Sequence, residues 1–384
     1  MSTITAGHAR ACITPPLGIK MAGYGSRVEG ARGVHDDLFV HALALRAASE
    51  AVVFLAYDVC LFDAGFVAAL KSAVQEATGL EPAQVFVNTS HTHAGPRIPG
   101  PEDEHAPYRT RLIEEGAAVA AAALAEAAPA RLTVGYAPVD IGCNRREWRD
   151  GKVVLGHNPA GPTRQEVTVW RFERGEKPQI LLFSMPMHGT TLGGSNLELS
   201  AEWMGMARQY LEEALPNTRA LFLQGCGADQ DPYYSLEGNV RGTFAEVEAH
   251  GRAVANAVQA ALAGEMRPLA AAPLAVAVRE VPLPGKENPA EVRPLSLHGV
   301  RLGDAVVLTL SAEAFVEFDR FGREVSPAKA TLVLGYTDGN IGYLCTPEVY
   351  AEGGYEANTT RVAPESEALV KEAMRRLLGD LMPA

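Results

Sequence analysis

Apolar runs that read as strands alternate with amphipathic stretches that read as helices along most of this chain, and that alternation limits the fold more than any other feature. AVVFLAYD, ending at Asp58, precedes a segment in which Phe66, Val67, Leu70 and Val74 share a helical face and Gly79 supplies a stop. QVFVNTSHTH follows, then an Ala-rich helix from about Tyr108 to Ala128, the strand-like RLTVGYAPV, and EVTVWRF with QILLFSMPMHG, an antiparallel pair around the turn-forming ERGEKP. A helix from Ala201 to Ala214 leads to RALFLQG and CGADQDP, and a helix from about Gly242 to Ala263 comes next. AVVLTLS then ends in Glu313, ATLVLGYT ends in Asp338 and Asn340, and a helix from Glu365 to Leu378 closes the order. Such an order predicts an α/β protein of mixed β-sheets covered by helices, with the active site at strand carboxyl ends. The strand ends carry His, Asp, Glu or Asn, which points to one shared site.

The densest of these ends is NTSHTHAGP, from Asn88 to Pro96. Val85, Phe86 and Val87 read as a buried strand, and on an extended chain His91 and His93, two apart, face the same way. Neutral imidazole is the commonest metal ligand, and Gly95-Pro96 ends the run where side chains can converge. The pair alone equally suits two polar histidines that bind nothing.

With 384 residues, 47% hydrophobic and 21% charged, the chain can bury a sizeable core without a covalent staple, and no apolar run is long enough to span a bilayer. Its five cysteines are odd in number and scattered, so they read as reduced, mostly buried thiols. A net charge of −12 argues against nucleic-acid partners and against anionic membranes. No basic segment followed by an apolar core opens the chain, so a cytoplasmic protein is expected. A single domain over 1–384 is expected as well, with Arg267 to Pro273 the candidate internal boundary. Oligomeric state is left open. Gly23 and Gly25 in MAGYG follow no strand and read as a turn, not a nucleotide loop.

ITPPLGIKMAGYG, VHDDLFVHALAL, NTSHTHAGP, GCNRR, MHGTTLGGSN, LQGCGADQDP and GNIGYLCTPEVYAEGGYEANTT, in that order from about Cys12 to Thr360, resemble the catalytic domain of the neutral/alkaline, non-lysosomal ceramidases. The family's further immunoglobulin-like C-terminal domain has no counterpart in this chain. The resemblance implies Zn²⁺ held by His91, His188, Glu313 and Tyr343, a ligand set compatible with zinc and one open position. It implies His93 as a proton or hydrogen-bonding partner beside the metal, Arg145 and Tyr355 as donors toward a carbonyl oxygen, and Asn144 as a residue that orients the loop. Other readings stand beside these: Glu313 as a first-turn helix glutamate, and Arg145 as a surface ion-pair partner in a basic cluster with Arg146 and Arg149.

The chain departs from the family at GADQDP, where Asp231 occupies the position of the family serine. A serine nucleophile is excluded there, so the resemblance implies metal-activated water, with Asp231 as a base or a partner to a ligand histidine. An Asx-type turn before Pro232 is the plainer reading of Asp231. The expected function is a zinc-dependent hydrolase that cleaves a linear amide (N-acyl) bond. A metal-dependent esterase or lactonase is the alternative, and a non-catalytic metal- or ligand-binding protein the more distant one. No helix with a basic face and no aromatic-rich segment suggests membrane docking, so a small soluble amide or ester is the expected substrate, with no stable membrane insertion.

Overall fold

Strands buried on both faces must be covered on both, and the chain meets that requirement with four layers. The computed structural model describes residues 4–237 and 240–383. In the strand Glu50–Tyr57, Val53, Leu55 and Tyr57 face one core while Val52, Phe54 and Ala56 face another. The large sheet runs in the order Thr218–Phe222, Lys177–Ser184, Glu166–Arg174, Ala128–Pro138, Ile4–Cys12, Phe39–Ala47, Glu50–Tyr57, Val85–Thr89, with Arg267–Leu269 added beside Ala128–Pro138. A four-stranded sheet, Leu274–Pro284, Val292–Leu302, Ala305–Leu310 and Ala330–Leu334, packs on its inner face. Val52, Phe54, Phe86 and Leu182 there meet Val300, Val307 and Leu332 in one apolar layer. The candidate boundary at Arg267 to Pro273 is where the chain passes from one sheet to the other.

Helices form the two outer layers. Ala64–Thr78 and Ala106–Glu126 cover one half of the large sheet, Glu202–Ala214 and Phe244–Ala263 the other, and Val316–Val325 with Ser366–Leu381 cover the small sheet. Their ends are specified locally. Asp63 accepts from the Phe66 amide at 2.7 Å, Gly79 takes φ 75° at the end of the same helix, and Thr243 with Glu246 forms a capping box. No helix of the described residues is long and apolar enough to cross a membrane.

Three parallel strand pairs direct their carboxyl ends to one place: Glu50–Tyr57 with Val85–Thr89, Lys177–Ser184 with Thr218–Phe222, and Ala305–Leu310 with Ala330–Leu334. Asn88 ties the three together. Its Oδ1 accepts from the Gln224 amide at 2.8 Å, and its Nδ2 donates to the Gly335 carbonyl at 3.0 Å and to Thr337 Oγ1 at 2.9 Å, all buried. A buried amide with both ends satisfied fixes the relative placement of the two sheets.

Candidate metal centre

His91 does not lie on an extended strand. Val85–Thr89 ends two residues earlier, and His91 turns into the left-handed region at φ 59°, so the expected same-face geometry of His91 and His93 is replaced by a turn. That conformation is unfavourable for a side chain with a Cβ and is held by neighbours. The His91 amide donates to the Val59 carbonyl at 3.0 Å and its Nδ1 lies 2.9 Å from the Cys60 carbonyl. The Tyr336 ring, centred 4.3 Å away, packs on the imidazole. His188 follows the strand Lys177–Ser184, with Nδ1 at 2.6 Å from the Gly227 carbonyl and its own carbonyl accepting from Trp203 Nε1 at 2.8 Å. A backbone carbonyl on each Nδ1 favours a proton there and turns each Nε2 toward the centre.

Glu313 and Tyr343 are directly opposed in a two-residue parallel ladder formed by Glu313–Ala314 and Tyr343–Leu344. The helix after Glu313 begins only at Val316, so the first-turn reading of this glutamate gives way to a side chain turned inward. Its Oε1 accepts from Asn340 Nδ2 at 3.4 Å. Its Oε2 is buried without a donor among the described residues, 3.4 Å from His91 Nε2 and 3.9 Å from His188 Nε2. His91, His188 and Glu313 bring ligand atoms within 4.8 Å of one another. An unpaired buried carboxylate oxygen facing two imidazole nitrogens is costly unless a cation joins them. The donor set of two neutral nitrogens and a carboxylate suits Zn²⁺.

The charges agree with that fit. Burial pushes the Glu313 carboxyl up, but His91 and His188 outweigh it and leave it at about 2. Burial likewise opposes a charge on His91, yet Cys60 and Glu313 draw a proton onto it, up to about 10. His188 stays neutral, held at about 3 by burial and by the Arg145 guanidinium. Glu313 therefore draws positive charge onto His91, which a dication would supply directly.

His93 projects from the next turn, its amide donating to the Gly189 carbonyl at 2.9 Å and its Nε2 3.1 Å from His91 Nε2. Its Nδ1 has no partner among the described residues. Gly23, at φ 92°, lies against this ring: a Cβ there would stand 2.5 Å from His93 Cγ and Nδ1. The turn expected at MAGYG is present, and close approach is its second reason for glycine.

Arg145 sits behind the centre, neither at the surface nor at a carbonyl. Its Nε donates to Glu356 Oε1 at 2.7 Å, Nη1 to His188 Nε2 and Asp231 Oδ1 at 3.2 Å each, and Nη2 to Tyr343 Oη at 3.1 Å. Four of its donors are engaged and it takes no part in the cavity lining, so it meets His188 and Tyr343 from behind. Its expected surface companion Arg146 is also buried and shares Glu356, while Arg149 is exposed on Glu147. Asn144 joins the group through Asp229 Oδ2 at 2.7 Å.

Asp231 lies on a short strand, Gln230–Pro232, where its Oδ1 accepts from Thr190 and Arg145 and its Oδ2 from Arg241 at 2.7 Å. Burial raises its pKa, but Arg241 and Arg145 prevail and hold the carboxyl far below the usual range. It stays ionised as a buried counter-ion of Arg145 and Arg241, and its place on a strand replaces the reading as a simple turn residue. Tyr355 opens the helix Tyr355–Thr359 after Gly354. It is 46% exposed, and its ring meets Tyr343 edge-on with centroids 5.7 Å apart.

Two strand ends do not join the site. Asp58 is bound by Arg208 at 2.8 and 2.5 Å, and Asp338 by Lys71 and His298 at 2.9 Å each. Glu356, Cys60, Tyr336 and Arg241 escaped the reading of the sequence. Glu356 stands beside Tyr355 in YEANTT and carried a usable signal, whereas the others had none beyond their type.

At the centre opens a cavity of about 650 Å³ lined by His91, His93, Glu313 and Tyr343 together with Tyr355, Phe62 and Ile98. The mixed four-layer architecture that carries it is the ceramidase fold. The neutral ceramidase of Pseudomonas aeruginosa superposes on 99% of this chain and 75% of its own at a TM-score of 0.83, with 16% sequence identity. A structure described as ceramidase complexed with C2 gives 0.83, 15% identity and the same coverage. No protein-family model and no curated protein sequence matches the chain.

Proposed function

We propose that this chain is a metal-dependent hydrolase of a linear amide, an N-acyl bond in a small molecule. One observation carries the reading: the unpaired buried Glu313 Oε2 faces His91 and His188, both oriented by backbone carbonyls, at an open cavity. The fold shared with proteins named as ceramidases supports amide cleavage as the reaction class. Zn²⁺ held by His91, His188, Glu313 and Tyr343 would polarise a carbonyl and acidify a water molecule.

The remaining chemistry falls to side chains. His93, on the cavity wall with one ring nitrogen toward His91 and the other unpartnered, takes up and returns a proton. The Tyr355 hydroxyl, exposed in the cavity, donates to the carbonyl oxygen as negative charge develops on it. Arg145, anchored by Glu356 and Asp231, holds Tyr343 in place through Nη2. Elemental analysis of the purified protein should give about one zinc per chain, and His91→Ala or His188→Ala should remove most of it together with hydrolysis of matched amide and ester substrates. Full zinc occupancy in either variant would sink the ligand assignment, and turnover of the ester alone would move the chain to the esterases.

A further inference from the structure

The cavity mouth has a charge opposite to that of the molecule. Against a net charge of −12, the charged residues lining the cavity are Lys20, Arg27, Arg97 and Arg361 on one side of the balance and Asp63 and Glu313 on the other. Both carboxylates are committed. Glu313 faces the two imidazoles, and Asp63 caps a helix through the Phe66 amide and pairs with Arg109 at 3.1 Å. Arg27 is held by the carbonyls of Ala22, His93 and Gly193 at 2.7, 3.0 and 3.2 Å, uncharged acceptors that leave its unit charge uncompensated.

Lys20, Arg97 and Arg361 are exposed, and none forms an ion pair with a carboxylate among the described residues. Lys20 and Arg97 are brought together by the bond from the Arg97 amide to the Lys20 carbonyl at 2.7 Å, while Arg361 comes from the segment just beyond the Tyr355–Thr359 helix. Concave walls lined by one sign of charge concentrate the field inside the cleft. Cations converging on the entrance of an otherwise acidic protein repel one another unless an anion joins them.

Resting on the hydrolase reading above, we propose that the substrate is an anionic amide, carrying a carboxylate on the part of the molecule that lies at the cavity mouth, where Lys20, Arg97 and Arg361 receive it. Phe62 and Ile98 line the same cavity and suit a carbon skeleton. An anionic membrane surface is the weaker match, because stable attraction takes a cluster of about four to eight basic residues and this molecule is strongly negative overall.

The test compares kcat/KM for N-acylglycine with its neutral N-acylglycinamide, and for the monoanilide of a dicarboxylic acid with its neutral carboxamide, at low salt and in added NaCl. Calorimetric binding of the carboxylate product is measured alongside. The charged member of at least one pair should be preferred by about 10-fold or more at low ionic strength, and the preference should shrink with salt. Replacing all three cations, Lys20→Glu, Arg97→Glu and Arg361→Glu, should bring the ratio to about one or invert it and abolish product binding. All three side chains are exposed, so the fold should survive. Equal rates on charged and neutral members would overturn the inference and leave the hydrolase reading intact. Salt-sensitive, cation-dependent binding without hydrolysis of any amide or ester would do the reverse. Loss of binding to phosphatidylserine vesicles in the triple variant, with its substrate preference unchanged, would assign the cations to a membrane surface and overturn the inference.

Discussion

Gly23 and His93 are 70 positions apart in sequence and in van der Waals contact in the fold, and the contact leaves no room for a methyl group. Gly23→Ala would place a Cβ 2.5 Å from the imidazole and would strain the backbone at φ 92°, so the ring must move. Because His93 is the proton carrier of the proposed reaction, this variant should lose about 10-fold or more in kcat while zinc content stays near one per chain, checked by steady-state kinetics and elemental analysis. Unchanged kcat would remove His93 from the chemistry. HTH was legible as a candidate pair at the end of an apolar run, whereas His188, Glu313 and Tyr343 were proposed as ligands only through the resemblance to ceramidases. Roles were less legible. Arg145 read as a donor toward a carbonyl oxygen and Asp231 as a base or a partner to a ligand histidine, and the fold pairs the two with each other. Nothing in a linear sequence announces that a guanidinium and a carboxylate 86 positions apart are mutual counter-ions.

Strands and helices were readable where one periodicity dominated, as in AVVFLAY and in the face built from Phe66, Leu70 and Val74. Reading failed at the strand ends, where period two stops and a single left-handed residue such as His91 or Asp338 re-aims the chain. It also failed to separate acids that serve the site from acids that join elements. Asp58 is such a joint: it links the end of Glu50–Tyr57 to the helix Glu202–Ala214 through Arg208 and also accepts from the Phe39 amide at 2.9 Å. Arg208→Ala strands a buried carboxylate and should cost about 3–5 kcal/mol in urea denaturation, whereas Asp58→Leu combined with Arg208→Leu should recover most of that loss. A loss below about 1 kcal/mol for the single variant would show that water or another cation reaches Asp58.

At the scale of the molecule, two histidines between the first strands set a pH limit. His8 and His41 lie 3.2 Å apart, both buried, and burial together with Arg10 and Arg208 keeps them neutral, His8 down to about 3. Each folded pKa is below the unfolded value of about 6.5, so the unfolded chain takes up protons first as pH falls. Stability is therefore full above about pH 6.5 and should decline toward pH 3 by up to about 1.4 kcal/mol per pH unit for each histidine. Urea midpoints measured from pH 7 to pH 5 should fall accordingly, and His8→Gln with His41→Gln should flatten that slope. An unaltered slope in the double variant would place the sensitivity elsewhere.

The centre is assembled from the carboxyl ends of three parallel pairs, with the proposed ligands His91, His188, Glu313 and Tyr343 drawn from most of the chain's length and stitched by Asn88. No local segment contains enough of it to persist alone. Unfolding should therefore take the site and its scaffold together, because the same interface between sheets holds both. In a urea titration, residual activity and the far-ultraviolet circular dichroism signal should vanish along one curve, and excess zinc should shift that curve as a whole toward higher urea. This protein should not wear out at its working end first.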